Sequence, residues 1–338
     1  MNGSKKPVLG SPGNGSGIQT LPAVLDPIEL GKHVEFFSSP PWNWGELRDI
    51  QVQALKTGHR NRWVVEILLR TTSALHPLIG KIYAQDRSDV YQAMEAIARA
   101  GFGPQAEFSI PQPLAFLPAL NLLLLEKVQG VRVKEIFTGG NERDRAEAAE
   151  RCALWLAQFH KVAPLSGPIL DLNRHFLSLE QWLRRIAELG ELLSDKAGRL
   201  LERLKARASM LGPVKMCAGH GSYKPAQVIL ANGRTVTCDW DSYDVADPCR
   251  DLARFIVFLE RLSLRAAGSI RVPNTAAEVF LKTYIAVGPP GVESRLPFYK
   301  AGTCVQFAKY DLSKPIPGWR AEMVAMLDEG LRILEVWI

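Results

Sequence analysis

Two β-rich pieces lie between Gln51 and Arg70, on either side of the polar turn segment Lys56-Thr-Gly-His-Arg-Asn61. A third strand is predicted at Leu78-Ile-Gly-Lys81-Ile-Tyr83, with one lysine facing inward among apolar neighbours. The period then changes. From Asp89 to Ala100 the apolar residues Val90, Met94 and Ile97 recur at helical spacing, with Glu95 at the edge of their face. Pro111-Gln-Pro-Leu114 predicts an extended approach to the apolar run Leu122 to Leu125, which ends in Glu126, Lys127 and Val128. Beyond Gly130 helical periods dominate, first through Ala149, Cys152, Leu156 and Phe159, then from Phe176 to Leu211. A late hairpin interrupts them: Val228 to Ala231 and Arg234 to Thr237 flank Asn232-Gly233, the strongest short hairpin signal a sequence offers. Asp247-Pro248 then starts a helix carrying Leu252, Phe255, Leu259 and Leu262. The pattern is α+β, with a strand-rich part at 27–129 and a mostly helical part at 130–338. Residues 1–26, polar and glycine-rich at their start, are expected to be disordered.

The candidate chemistry sits at the open end of the late hairpin. Counting outward from Asn232-Gly233 sets Gln227 opposite Cys238 and Ala226 opposite Asp239. Cross-strand neighbours lie about 4.5–5.5 Å apart at Cβ, so Gln227 and Asp239 present two oxygen ligands that can share one metal ion. The segment His220-Gly-Ser-Tyr-Lys-Pro-Ala-Gln227 also fits the spacing of a kinase catalytic loop, H-R-D-x-x-x-x-N, and Asp239-Trp-Asp241 fits its later metal-binding aspartate. His220 then falls on the histidine, Ser222 on the base, Gln227 on the amide and Asp239 on the metal ligand. Gly221 matches the H-G-D opening of the aminoglycoside and choline phosphotransferases, and Lys224-Pro225 looks like the K-P of protein kinases. From roughly Pro27 onward the chain resembles the aminoglycoside/choline phosphotransferase family, with two departures: serine for aspartate at 222 and glutamine for asparagine at 227.

The resemblance implies a two-lobed, protein-kinase-like fold that uses ATP or GTP with Mg²⁺. It implies that Lys81 grips the α and β phosphates, with Glu95 as its ion-pair partner, and that the backbone from Glu126 to Val128 holds adenine. Gln227 and Asp239 would hold the metal, with His220, Ser222 and Lys224 in the catalytic loop. Asp251 would support that loop from beneath, although an acidic residue in a first helical turn also complements the helix dipole. Asp241 is either a second metal ligand or a solvated turn residue. His160 has a family counterpart and reads as a core or capping histidine. His33, His59, His76 and His175 show no metal-ligand spacing to one another.

The two departures differ in consequence. Phosphoryl transfer relies chiefly on positioning and charge stabilisation, whereas a general base contributes roughly 10²–10⁴-fold. A neutral serine at 222 has no charge with which to take a proton. Gln227 keeps the hard carbonyl oxygen that magnesium prefers.

Composition removes other classes. The formal charge of +6 is spread along the 338 residues without basic runs interleaved with aromatics, which argues against a nucleic-acid surface. No apolar run approaches the roughly 20 residues of a membrane span, and the N-terminus lacks a signal-peptide core. Five scattered cysteines without a C-x-x-C pair favour a reducing compartment, the cytoplasm by default. Between Arg271 and Ile338, eight Lys or Arg balance seven Asp or Glu, without the acidic excess that a polycationic aminoglycoside would want. A neutral hydroxyl compound, a sugar or small alcohol, is the expected acceptor. Two functions follow: a nucleotide- and magnesium-dependent small-molecule phosphotransferase with a weakened base, or an inactive pseudokinase that binds nucleotide or a small ligand.

Overall fold

A computed structural model describes residues 18–59, 61–270, 274–313, 315 and 317–336. The expected disordered stretch is corrected at its end. Residues 1–17 lie outside the described residues, but Ile18, Leu21 and Val24, at near-helical spacing, are each 2% exposed or less. They pack into a core, and the helices α1 (Leu21–Leu25) and α2 (Pro27–Val34) follow. Asp26 caps α2 by accepting from the amides of Ile28 and Glu29, with Pro27 at the first helical position.

Strands β1 (Leu47–His59), β2 (Arg62–Thr71) and β3 (Leu75–Tyr83) pair antiparallel as successive hairpins. The side chains of the predicted turn at 56–60 fall outside the description. Helix α3 (Ser88–Ile97) buries Val90, Met94 and Ile97 as its period requires. After it come the short strand β4 (Phe108–Ser109), then β5 (Pro113–Leu117) and β6 (Leu122–Glu126). The five longer strands form one antiparallel sheet in the order β1-β2-β3-β6-β5. Its apolar face, including Val65, Ile67, Leu78, Ile82, Leu122 and Leu124, closes against Leu21, Val24 and Leu30.

The remaining elements are β7 (Val131–Arg132), α4 (Val133–Gly139), α5 (Glu142–Val162), β8 (Ile169–Leu170), α6 (Leu172–Ala187) and α7 (Glu191–Ala208). Then follow β9 (Cys217–Gly219), β10 (Val228–Ala231), β11 (Arg234–Thr237), β12 (Asp244–Ala246), α8 (Cys249–Ala267), α9 (Thr275–Val287), α10 (Leu296–Ser313) and α11 (Trp319–Val336). The helical run predicted from Phe176 to Leu211 is broken at Gly190, whose φ of 139° ends one helix before the next. Two small sheets, β4-β11-β10-β7 and β8-β12-β9, lie among these helices. Among the described residues no helix is long and apolar enough to cross a membrane, and all five cysteines are free.

The chain divides into two compact units, one of residues up to 92 with 112–127, the other of 93–111 with 128 onward. The boundary expected after 129 lies two residues earlier, and 93–111, expected with the strand-rich part, belongs to the helical unit. Pairing explains the transfer. β4 lies parallel to β11, with Phe108 beside Thr235 and Ser109 beside Val236, and the Phe102 ring stands 5.4 Å from Trp155.

Candidate active site

The site is built on the helical unit's hairpin, whose register is the one predicted: Val228 opposite Thr237 through Ala231 opposite Arg234. The next pair outward is joined by the Cys238 amide, which donates to the Gln227 carbonyl at 2.7 Å. This contact brings the Gln227 and Asp239 side chains together, Nε2 donating to Oδ2 at 3.0 Å. The same Nε2 donates to Ser222 Oγ at 3.1 Å, and Ser222 Oγ donates at 3.4 Å to Gln227 Oε1. Ser222, Gln227 and Asp239 thus form one chain of side-chain contacts. Asp239 holds it with a left-handed backbone, φ 72° and ψ 63°, a conformation that L-residues adopt at a cost and that clusters at functional sites.

The loop that presents Ser222 is fixed from below. Asp251, in the first turn of α8, accepts from the amides of His220 at 2.7 Å and Gly221 at 3.1 Å. Burial alone would raise its carboxyl. The close approach of His160 and the charge of Arg250 outweigh that and hold it below the ordinary carboxylate range. Asp251 thus contacts the loop directly, besides standing in the first turn of a helix. His160 is a core histidine as expected: Nδ1 meets the Tyr284 hydroxyl at 2.6 Å and Nε2 lies 3.6 Å from Asp251.

His220, expected in the catalytic set, is held inside the loop by both ring nitrogens. It is fully buried, its Nε2 bonded to the Cys238 carbonyl at 2.9 Å, its Nδ1 accepting from the Ser222 amide at 3.3 Å. One ring nitrogen therefore ties the loop to the end of the hairpin and the other closes the loop on itself. That arrangement specifies the neutral Nε2–H tautomer, and burial lowers the ring's pKa more than Asp251 raises it. Gly221 cannot be another residue, because its φ is 79° and a Cβ there would collide with the Ser242 carbonyl. Tyr223 closes the underside, stacked on Trp155 and donating its hydroxyl to the Cys152 carbonyl at 2.8 Å.

The other predicted residues are placed as follows. Lys224 is half-buried and extended before Pro225, its carbonyl accepting from the Gln227 amide at 2.9 Å. Asp241 is half-buried in the short helical turn Trp240–Ser242 that follows Asp239. Lys81 is 8% exposed in β3, opposite Val64 of β2 and Leu123 of β6. Glu95 lies on α3, 3.9 Å from Arg99. The Glu126 amide donates to the Gln112 carbonyl at 2.9 Å, which removes that donor from any adenine contact. Val128 packs on Ile229, Ala231 and Val236. Sequence reasoning missed two buried ion pairs that brace the region, Arg250 with Asp244 at 2.5 Å and Arg295 with Asp247 at 2.7 Å. No local pattern announces either partner.

The donor set suits a hard cation. One carboxylate and one amide oxygen are what magnesium takes from protein when phosphates and water complete its shell. Among the described residues no three His, Cys, Asp or Glu converge as a metal cluster, so a cation here would depend on those outside oxygens. Turning the Gln227 amide by half a rotation exchanges its nitrogen for its oxygen beside Asp239.

The sequence model of the phosphotransferase enzyme family matches residues 51–289. The chain belongs to this family. No curated protein matches it by sequence. Among solved structures it is similar to a choline/ethanolamine kinase family protein from Mesorhizobium loti, at 15% identity and TM-score 0.56, over 94% of each chain. It is similar to aminoglycoside phosphotransferase APH(2'')-Ib in its ADP-bound form, at 15% identity and TM-score 0.53, over 85% of this chain and 94% of that one. The GDP complex of aminoglycoside 2'-phosphotransferase-IIIa matches at 14% identity and TM-score 0.55, over 90% and 98%. At such identities the likeness establishes the kinase-like fold, and the family match, which spans 51–289, includes the segment just described.

Proposed function

We propose that the protein is a magnesium-dependent phosphotransferase that moves the γ-phosphoryl group of ATP or GTP to a hydroxyl of a small molecule. The observation that carries this reading is the Ser222–Gln227–Asp239 chain held over Asp251. Gln227 and Asp239 hold the metal through their oxygens, and Lys81 binds the α and β phosphates. Magnesium bound there supplies positive charge that offsets the negative charge of the phosphates. The acceptor oxygen forms a bond to the γ-phosphorus while the β–γ bridging bond breaks and the nucleoside diphosphate leaves. The hydroxyl proton passes to solvent, since Ser222 carries no charge to accept it. Ser222 orients the acceptor by a hydrogen bond. The ADP- and GDP-bound relatives support nucleotide use, and five free thiols support a reducing compartment such as the cytoplasm.

A second reading, a nucleotide-binding pseudokinase, is favoured by one feature: the Ser222 hydroxyl is bonded to both ends of the Gln227 amide, whose nitrogen is also bonded to Asp239. Ser222→Asp separates the two. With an enzyme, restoring the carboxylate raises magnesium-dependent phosphate release from ATP or GTP by on the order of 10²-fold. No gain, in a variant that still binds nucleotide, would contradict the enzyme reading and leave the second.

A further inference from the structure

Lys224 and Ala226 of the catalytic loop form one wall of a cavity of about 440 Å³ that lies wholly within the helical unit. That volume suits a small organic molecule. Its lining contains six cationic side chains, Lys134, Lys224, Arg254, Arg261, Arg265 and Lys309, and no carboxylate. Two of them are neutralised from behind: Arg261 by Asp311 and Glu322, and Arg265 by Glu322 at 2.8 Å. Arg254 and Lys309 have no carboxylate within ion-pair distance among the described residues. Arg254 spends one Nη1 contact on the neutral Gln306 amide at 2.5 Å and keeps a buried Nε without a partner. Lys309 sits 4.1 Å over the Trp182 ring, which Arg185 also approaches at 4.9 Å.

Like charges converging in a half-buried cavity repel, and for Arg254 and Lys309 the desolvation is offset only by a neutral amide and an aromatic face, without a paired carboxylate. Burial, then the neighbouring Arg250, lowers the Arg254 guanidinium to about 10, and burial, Arg254 and Arg185 lower Lys309. An anion entering the cavity reverses both penalties, and a cation adds to them. Four aromatic side chains, Trp182, Phe258, Phe307 and Tyr310, share the rest of the lining with small or neutral residues such as Ser178, Leu262 and Gln306.

We infer that the acceptor is an anion, a small molecule whose carboxylate or phosphate group meets Arg254 and Lys309 while a planar apolar portion lies against the aromatic wall. The inference rests on the phosphotransferase reading and narrows its acceptor. It replaces the neutral sugar or alcohol expected from sequence charge balance alone.

The test is binding to the full chain, without nucleotide, of four probes that share one ring: phenyl phosphate, benzoate, benzyl alcohol and benzylamine. At least one anion should bind ten-fold or more tightly than benzyl alcohol, and benzylamine more weakly still. Comparing phenyl phosphate with benzoate decides between phosphate and carboxylate. The preference should survive Lys81→Ala, which excludes phosphate held at the nucleotide side, and fall at least five-fold in both Arg254→Gln and Lys309→Gln. Equal binding of benzylamine or benzyl alcohol, or an anion preference untouched in a folded Lys309→Gln, overturns the inference. Because no nucleotide is present, that result would leave the phosphotransferase reading standing, and a failure of nucleotide binding would leave this result standing.

Discussion

Two residues of the site hold backbone conformations that L side chains rarely adopt, Gly221 at φ 79° and Asp239 at φ 72°. Gly221 meets the demand by having no side chain. Gly221→Ala therefore combines left-handed strain with a collision at the Ser242 carbonyl, and should destabilise the fold by about 1–3 kcal/mol or more in urea denaturation. Unchanged stability would mean that the loop is not held where Asp251 and His220 place it. At this scale the sequence was legible wherever residue type and spacing repeat the kinase pattern: Ser222, Gln227 and Asp239 do meet. The surroundings of His220 were not legible, because spacing alone does not reveal that a histidine's two nitrogens are both turned inward.

Among elements, the β10–β11 hairpin was readable to the register, because an Asn-Gly turn fixes pairing locally. The start of α8 was readable to within a residue: the helix begins at Cys249, just after Pro248, and Asp247 accepts from the Cys249 amide at 2.9 Å. Contacts between distant elements were not, since Arg295 and Asp247 lie 48 positions apart and nothing local marks them as partners. The packing of α6 on α10 yields a further prediction through His175, buried beside Phe298, Tyr299 and Gly302. Burial, then Arg250 and Arg254, pushes this ring down to about 3. The unfolded chain takes up that proton near the ordinary value of about 6.5, so in between it binds more protons than the fold does. This residue's contribution to stability therefore weakens as pH falls through that window. His175→Gln should flatten the dependence of unfolding free energy on pH by about 1.4 kcal/mol per pH unit between about pH 6 and pH 4. Parallel curves for the two proteins would show that the ring is not held neutral.

For the molecule as a whole, the change from strands to helices near residue 130 showed in the hydrophobic period, while the return of 93–111 to the helical unit did not. It depends on a two-residue parallel pairing of β4 with β11, too short to leave a pattern. The family match ends at 289, and the α10 side of the cationic cavity, Gln306 to Ser313, lies beyond it. The proposed acceptor cavity thus draws part of its lining from a segment that the family match does not cover. The central claim, a working nucleotide and magnesium site, is tested most directly by thermal unfolding with and without magnesium–ATP and magnesium–GTP. Nucleotide at 100 times its dissociation constant should add about 2.7 kcal/mol, raising the unfolding temperature, and the gain should vanish in Asp239→Ala and in Lys81→Ala. No shift with either nucleotide would contradict the account.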